Sequence, residues 1–81
     1  MTLLDLSEDE VVEIRSLPAD ANMARRMSSL GLFAGRRIRF VKAAPFAGPL
    51  LVEDQATGAR LMIARAMAGE VEVTRGRTPK P

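Results

Sequence analysis

Apolar positions in this chain recur at two different periods, and the switches between them outline its elements. From Val11 to Leu17, Val12 and Ile14 fall on one side of an extended chain, with Glu13 and Arg15 on the other, which predicts a half-buried strand. Pro18 ends it and biases Leu17 toward extended backbone as the chain leaves its sheet. The period then changes. Met23, Met27 and Leu30 recur at helical spacing behind Asp20, whose carboxylate suits the free N–H groups of a first turn, so a short helix is expected there. Gly31 supplies the left-handed residue that closes it, and Leu32 is placed to fold back onto Met27.

After Phe33-Ala34-Gly35 the two-residue period returns. Arg36 to Ala43 reads as a second strand, with Ile38 and Phe40 inward and Arg37, Arg39 and Val41 outward. The loop Ala44-Pro45-Phe46-Ala47-Gly48-Pro49 leads into a third strand, where Leu50, Val52 and Asp54 alternate with Leu51, Glu53 and Gln55. Ala56-Thr57-Gly58 is a hairpin turn before a fourth strand, Ala59 to Ile63, with Leu61 and Ile63 on one face. Ala64 to Ala68 is too short for a free helix and reads as one helical turn closed by Gly69; Val71 and Val73 mark a last strand. Ahead of all this, Leu3, Leu4 and Leu6 form a segment expected to pack as a lid or edge, followed by a Ser7-Glu8-Asp9-Glu10 turn. The polar residues 76–81 are expected to be a disordered tail on a domain spanning 1–75. Five short strands, one helix after the first and a helical turn before the last describe a mainly β fold. A small barrel is expected, whose closure would remove the exposed edges of so short a sheet.

Composition narrows the chemistry. The chain has 81 residues, one small domain with a modest core. It contains neither Cys nor His, so disulfides, thiolate nucleophiles and imidazole bases or ligands are all excluded. Ser7, Ser16, Ser28 and Ser29 have no base to activate them, and Glu8, Asp9, Glu10 and Glu13 sit where nothing would raise a carboxyl pKa. No catalytic constellation is present, and an enzyme is not expected. Apolar runs fall far short of the roughly 20 residues that span a bilayer, and the N-terminus meets acid at once, unlike a secretory signal. Of the aromatics Phe33, Phe40 and Phe46, only Phe46 reads as exposed.

Charge is distributed unevenly. Residues 1–24 hold Asp5, Glu8, Asp9, Glu10, Glu13 and Asp20 against Arg15; residues 25–42 hold Arg25, Arg26, Arg36, Arg37, Arg39 and Lys42 with no acid. These are either solvated faces that attract each other on folding or a surface by which a partner approaches.

Taken together, Leu3-Leu4-Asp5-Leu6, Val12-x-Ile14, Arg26-Met27-x-x-Leu30-Gly31-Leu32-x-x-Gly35, Ile38, Ala44-Pro45-Phe46-Ala47-Gly48-Pro49-Leu50 and Ile63-Ala64-x-x-x-Ala68-x-x-Val71-x-Val73 resemble the FeoA family. FeoA is the small cytoplasmic component of bacterial ferrous iron uptake, and the resemblance runs from about Thr2 to Arg75. It implies an SH3-like β-barrel with a helical insertion. It also implies a partner, the FeoB permease with its cytoplasmic GTP-binding domain, which would hold the chain at the inner face of the membrane. No cofactor is expected, and Gly31, Gly35 and Gly48 are expected to serve structure. The chain departs from the family near Asp9 and at Ala47, where glycine is usual; Ala47 fits readily only if its φ is negative.

Two surfaces are candidates for partner binding. Pro45, Phe46 and Pro49 lie on a loop stiffened at both ends, which would present Phe46 at low entropic cost unless Phe46 plugs a barrel mouth. Arg25, Arg26, Arg36, Arg37 and Arg39 would meet an acidic patch on the permease or the anionic leaflet beside it, unless they form a solvated face. Met23 and Met27 read as core rather than metal ligands, and Glu8-Asp9-Glu10 as at most a weak divalent-cation site. The second function class is nucleic-acid binding or a module of iron-dependent transcriptional regulation. It is less favoured, because stacking aromatics and a helix-turn-helix are lacking. A weak homo-oligomer is compatible with exposed strand edges.

Overall fold

The helix forms where its cap allows. In the computed structural model, which describes residues 1–75, Asp20 Oδ1 accepts from the N–H groups of Asn22 at 2.8 Å and Met23 at 3.2 Å, opening α1 (Ala21–Ser29). Its far end is a complete reversal. The Gly31 N–H donates to Ser28 O at 2.9 Å and the Leu32 N–H to Met27 O at 3.0 Å, with Gly31 at φ +84°. Met27 and Leu32 are both fully buried.

Around this helix run β1 (Val11–Ser16), β2 (Arg37–Ala43), β3 (Leu50–Asp54), β4 (Arg60–Ile63) and β5 (Glu72–Arg75), with the short α2 (Arg65–Ala68) before the last strand. They form one antiparallel sheet in the order β4-β3-β2-β1-β5. Register sets Val12 beside Ile38, Phe40 beside Val52 and Ile14 beside Val73, so the inward residues of successive strands meet in one apolar row. Register shifts between Ile14 and Ser16 and between Phe40 and Lys42 bend the sheet around that row. Met27 and Leu32 close the core from the helix side, and Met67 and Ala68 from α2. The opening segment is a lid, as expected: a 3-10 turn at Leu3–Asp5 buries Leu3 completely, and Thr2 bridges to Glu72.

The SH3-like arrangement is present, but hydrogen bonds do not close it into a barrel. β4 and β5 are the two edges, and the chain passes between them through α2 rather than pairing them. Several local expectations also shift, and Gln55 and Ala59 lie outside β3 and β4. Leu17 lies outside β1 and Arg36 outside β2. Leu30 is not part of the buried stripe: the reversal at Gly31 delivers Leu32 to the core and leaves Leu30 43% exposed. The tail expected over residues 76–81 lies outside the described residues.

Candidate functional site

The loop between β2 and β3 is built to hold one side chain away from the protein. Its base is closed by the Ala44 N–H donating to Pro49 O at 2.9 Å, and its tip by the Gly48 N–H donating to Pro45 O at 3.2 Å. Phe46 and Ala47, the two central residues of that tip, both have φ of +58°, the sign that a type I′ turn requires. Gly48 is needed for space: a Cβ there would lie 2.8 Å from Ala44 Cβ and 3.1 Å from Pro45 O. The result is Phe46 at 99% exposure, flanked by exposed Pro45, Ala47 and Pro49. Phe46 therefore plugs no barrel mouth. Both departures from the family pattern fall on left-handed backbone, Asp9 at φ +69° and Ala47 at φ +58°, where glycine would be unstrained.

The five candidate arginines do not form one surface. Arg36 lies against the hairpin between β3 and β4: its Nη2 is 3.1 Å from Asp54 Oδ2, and its guanidinium sits 5.7 Å from the centroid of the Phe33 ring. Asp54 is 3% exposed, and its Oδ1 takes the Ala56 N–H at 2.8 Å. Burial alone would push the Asp54 carboxyl up; the Ala56 and Thr57 N–H groups and the Arg36 guanidinium together hold it below the usual aspartate range. Arg39, on the outer face of β2, ties β3 and the turn before β1 together. Its Nε donates to Glu53 Oε1 at 3.1 Å, its Nη1 reaches Asp9, and Glu53 also faces Arg60 at 3.6 Å. The hydrogen bond from Arg39 is the main cause that lowers the Glu53 pKa and, reciprocally, raises that of Arg39.

Arg25, Arg26 and Arg37 are exposed and make no ion pair among the described residues. The acidic turn is likewise dispersed: Asp9 pairs with Arg39 and Glu10 with Arg75, while no group of three or more acidic, His or Cys side chains gathers among the described residues. Of the structural glycines, Gly31 and Gly35 occupy positive φ, and Gly48 serves close approach instead.

Sequence reasoning missed the exposure of Leu4, Leu30, Phe33 and Met62, at 43%, 43%, 45% and 57%. For Phe33 a signal existed, since an arginine three residues on, past Gly35, can reach back over the ring. No helix among the described residues is long and apolar enough to cross a membrane.

Known proteins share this architecture. The FeoA domain model matches residues 1–75. The FeoA protein of Chlorobium tepidum superimposes with a TM-score of 0.80 at 29% identity, over 90% of this chain and 68% of that one. The zinc-complexed FeoA of Stenotrophomonas maltophilia, described as an SH3-domain protein and a candidate activating factor of bacterial ferrous iron transport, does so at 0.74 and 29% identity, over 91% and 89%. A manganese-dependent transcriptional repressor shares the fold alone, with a TM-score of 0.84 at 23% identity; 91% of this chain corresponds to 35% of its length. No curated protein matches the chain. A family model that spans the whole described fold, together with solved FeoA structures that superimpose on it, establishes that the chain belongs to the FeoA family.

Proposed function

We propose that this chain is a non-enzymatic accessory of ferrous iron uptake that docks on the cytoplasmic part of a FeoB permease and alters its activity or assembly. Membership of the FeoA family supports the link to ferrous iron transport. The observation that supports docking is Phe46, 99% exposed on a turn braced by Pro45, Gly48 and Pro49. A large apolar ring held in water on left-handed backbone gains nothing from its own fold, and it is the kind of anchor that dominates an interface once it enters a partner's pocket. Because the turn is already shaped, little conformational entropy is lost on binding. Docking would change transport only through different affinities for two states of the permease. The site is the cytoplasmic face of the membrane.

A pull-down with the permease's cytoplasmic domain tests this reading. Retention of the wild type with at least about a tenfold loss for Phe46→Ala is the expected result, a typical hot-spot effect. Failure of the wild type to bind removes the proposal.

A further inference from the structure

Helix α1 turns Asn22, Arg25, Arg26 and Ser29 outward as one exposed stripe along a shallow groove. Arg25 and Arg26 have no ion-pair partner among the described residues, and no acid occurs anywhere between residues 25 and 42. Leu30 follows Arg26 by one helical turn and is 43% exposed; Phe33, in the loop that leads to β2, is 45% exposed. Unneutralised cations and half-exposed apolar side chains thus follow one another at one corner of the fold, the C-terminal end of α1 and its exit loop.

We infer that this corner seats on an anionic lipid surface, with Arg25 and Arg26 in the headgroup layer and Leu30 and Phe33 at the acyl boundary. Charge complementarity selects an anionic occupant, and the residue types match the interfacial pattern in which long cationic side chains reach for headgroups beside shallowly inserted Leu and Phe. Two features favour lipid over other anions. Leu30 and Phe33 are not among the residues that line the groove beside Arg25 and Arg26, so they offer an open surface rather than a pocket for a protein side chain. For single-stranded nucleic acid, successive bases need several stacking rings, and this corner offers Phe33 alone, with Arg36 over one of its faces at 5.7 Å.

Each arginine near an anionic leaflet contributes roughly a factor of five in partitioning, so the pair contributes roughly thirtyfold. With the apolar contribution of Leu30 and Phe33 it gives weak binding, which a high lipid concentration reveals. It is enough to orient a protein already tethered there, because a second contact then acts at high effective concentration. The inference does not depend on the docking assigned to Phe46.

Co-sedimentation of the full chain with vesicles of phosphatidylethanolamine and phosphatidylglycerol, against phosphatidylcholine vesicles, tests it at low and high salt. The expected result is binding to the anionic vesicles only, weakened by salt. Arg25→Glu/Arg26→Glu should lower it by more than about tenfold, and Leu30→Ser/Phe33→Ser by at least about fivefold. Thermal melts confirm that the variants fold. Absence of binding, equal binding to neutral vesicles, or indifference to Leu30→Ser/Phe33→Ser overturns the inference. Salt-sensitive retention of a single-stranded RNA without vesicle binding would overturn it too, by assigning the corner to nucleic acid. Since the vesicles contain no permease, the outcome is separable from the test of docking.

Discussion

Arg36 and Asp54 meet across the β2–β3 pair through a single carboxylate oxygen: Asp54 Oδ2 lies 3.2 Å from Arg36 Nε and 3.1 Å from Nη2. The other oxygen caps the following turn through the Ala56 N–H. Asp54 is the inward residue that ends the run Leu50, Val52, Asp54, where an apolar residue would otherwise be expected. A buried carboxylate is tolerated there because each of its oxygens has a donor.

Removing that carboxylate therefore strands Arg36 and uncaps the turn. Asp54→Ala is expected to destabilise the protein by about 2 kcal/mol. Since the Asp54 carboxyl is held below its unfolded value of about 3.9, its contribution is complete above that value and is lost as pH falls through the lowered one. Glu53, lowered through Arg39, adds in the same direction. Urea midpoints measured from neutral pH down to about pH 2 should drop in acid for the wild type and drop less for Asp54→Asn. Parallel acid curves for the two would refute this account of the pair.

The Phe46–Ala47 turn predicts opposite signs for two small substitutions at adjacent residues. Ala47→Gly relieves a left-handed alanine, a gain of about 1–2 kcal/mol, against about 0.4–1 kcal/mol from a more flexible unfolded chain. A net stabilisation of roughly 0.5–1 kcal/mol follows, a rise of several degrees in Tm by thermal melt. Gly48→Ala drives a Cβ to 2.8 Å from Ala44 Cβ and is expected to cost about 1–3 kcal/mol. Equal effects of the two would mean that the backbone of the turn is otherwise.

The two ends of α1 should report independently. Asp20→Ala removes the cap and costs about 1 kcal/mol. Gly31→Ala finds open space for its Cβ but keeps a positive φ, so it costs about 1 kcal/mol through backbone strain alone. The caps are separated by nearly the whole helix, so the double variant should lose the sum, about 2 kcal/mol. Chemical denaturation of the three variants decides it; a marked departure from additivity would show the helix melting as a unit when either cap is lost.

Phe46→Ala should leave stability within about 0.5 kcal/mol of wild type, because the ring makes no packing contribution to its own fold. A drop of several degrees in Tm would show that the ring packs on the protein after all, and that any loss of partner binding reflects folding.

Local chemistry was legible in the chain because it is written within a few residues. Asp20 with the 23/27 spacing, Gly31 followed by Leu32, and the alternations through Val12-Ile14, Ile38-Phe40 and Leu50-Val52 each specify an element without reference to the rest of the molecule. The family pattern is similarly local, although the left-handed backbone at Asp9 and Ala47 came only from the structure. What each exposed or charged side chain does was decided elsewhere. Arg39 is neutralised because register sets β2 beside β3 and brings Glu53 opposite it, while Arg25 and Arg26 make no ion pair among the described residues. Leu30 turned outward because the helix reversal gave its place to Leu32, and Phe46 because a tight turn with its base tied at Ala44 and Pro49 leaves the ring no neighbour. Whether the strands close into a barrel also depends on long-range geometry, and here α2 keeps β4 and β5 unpaired. Periodicity specifies which face a residue is on; only the assembled sheet specifies what that face meets.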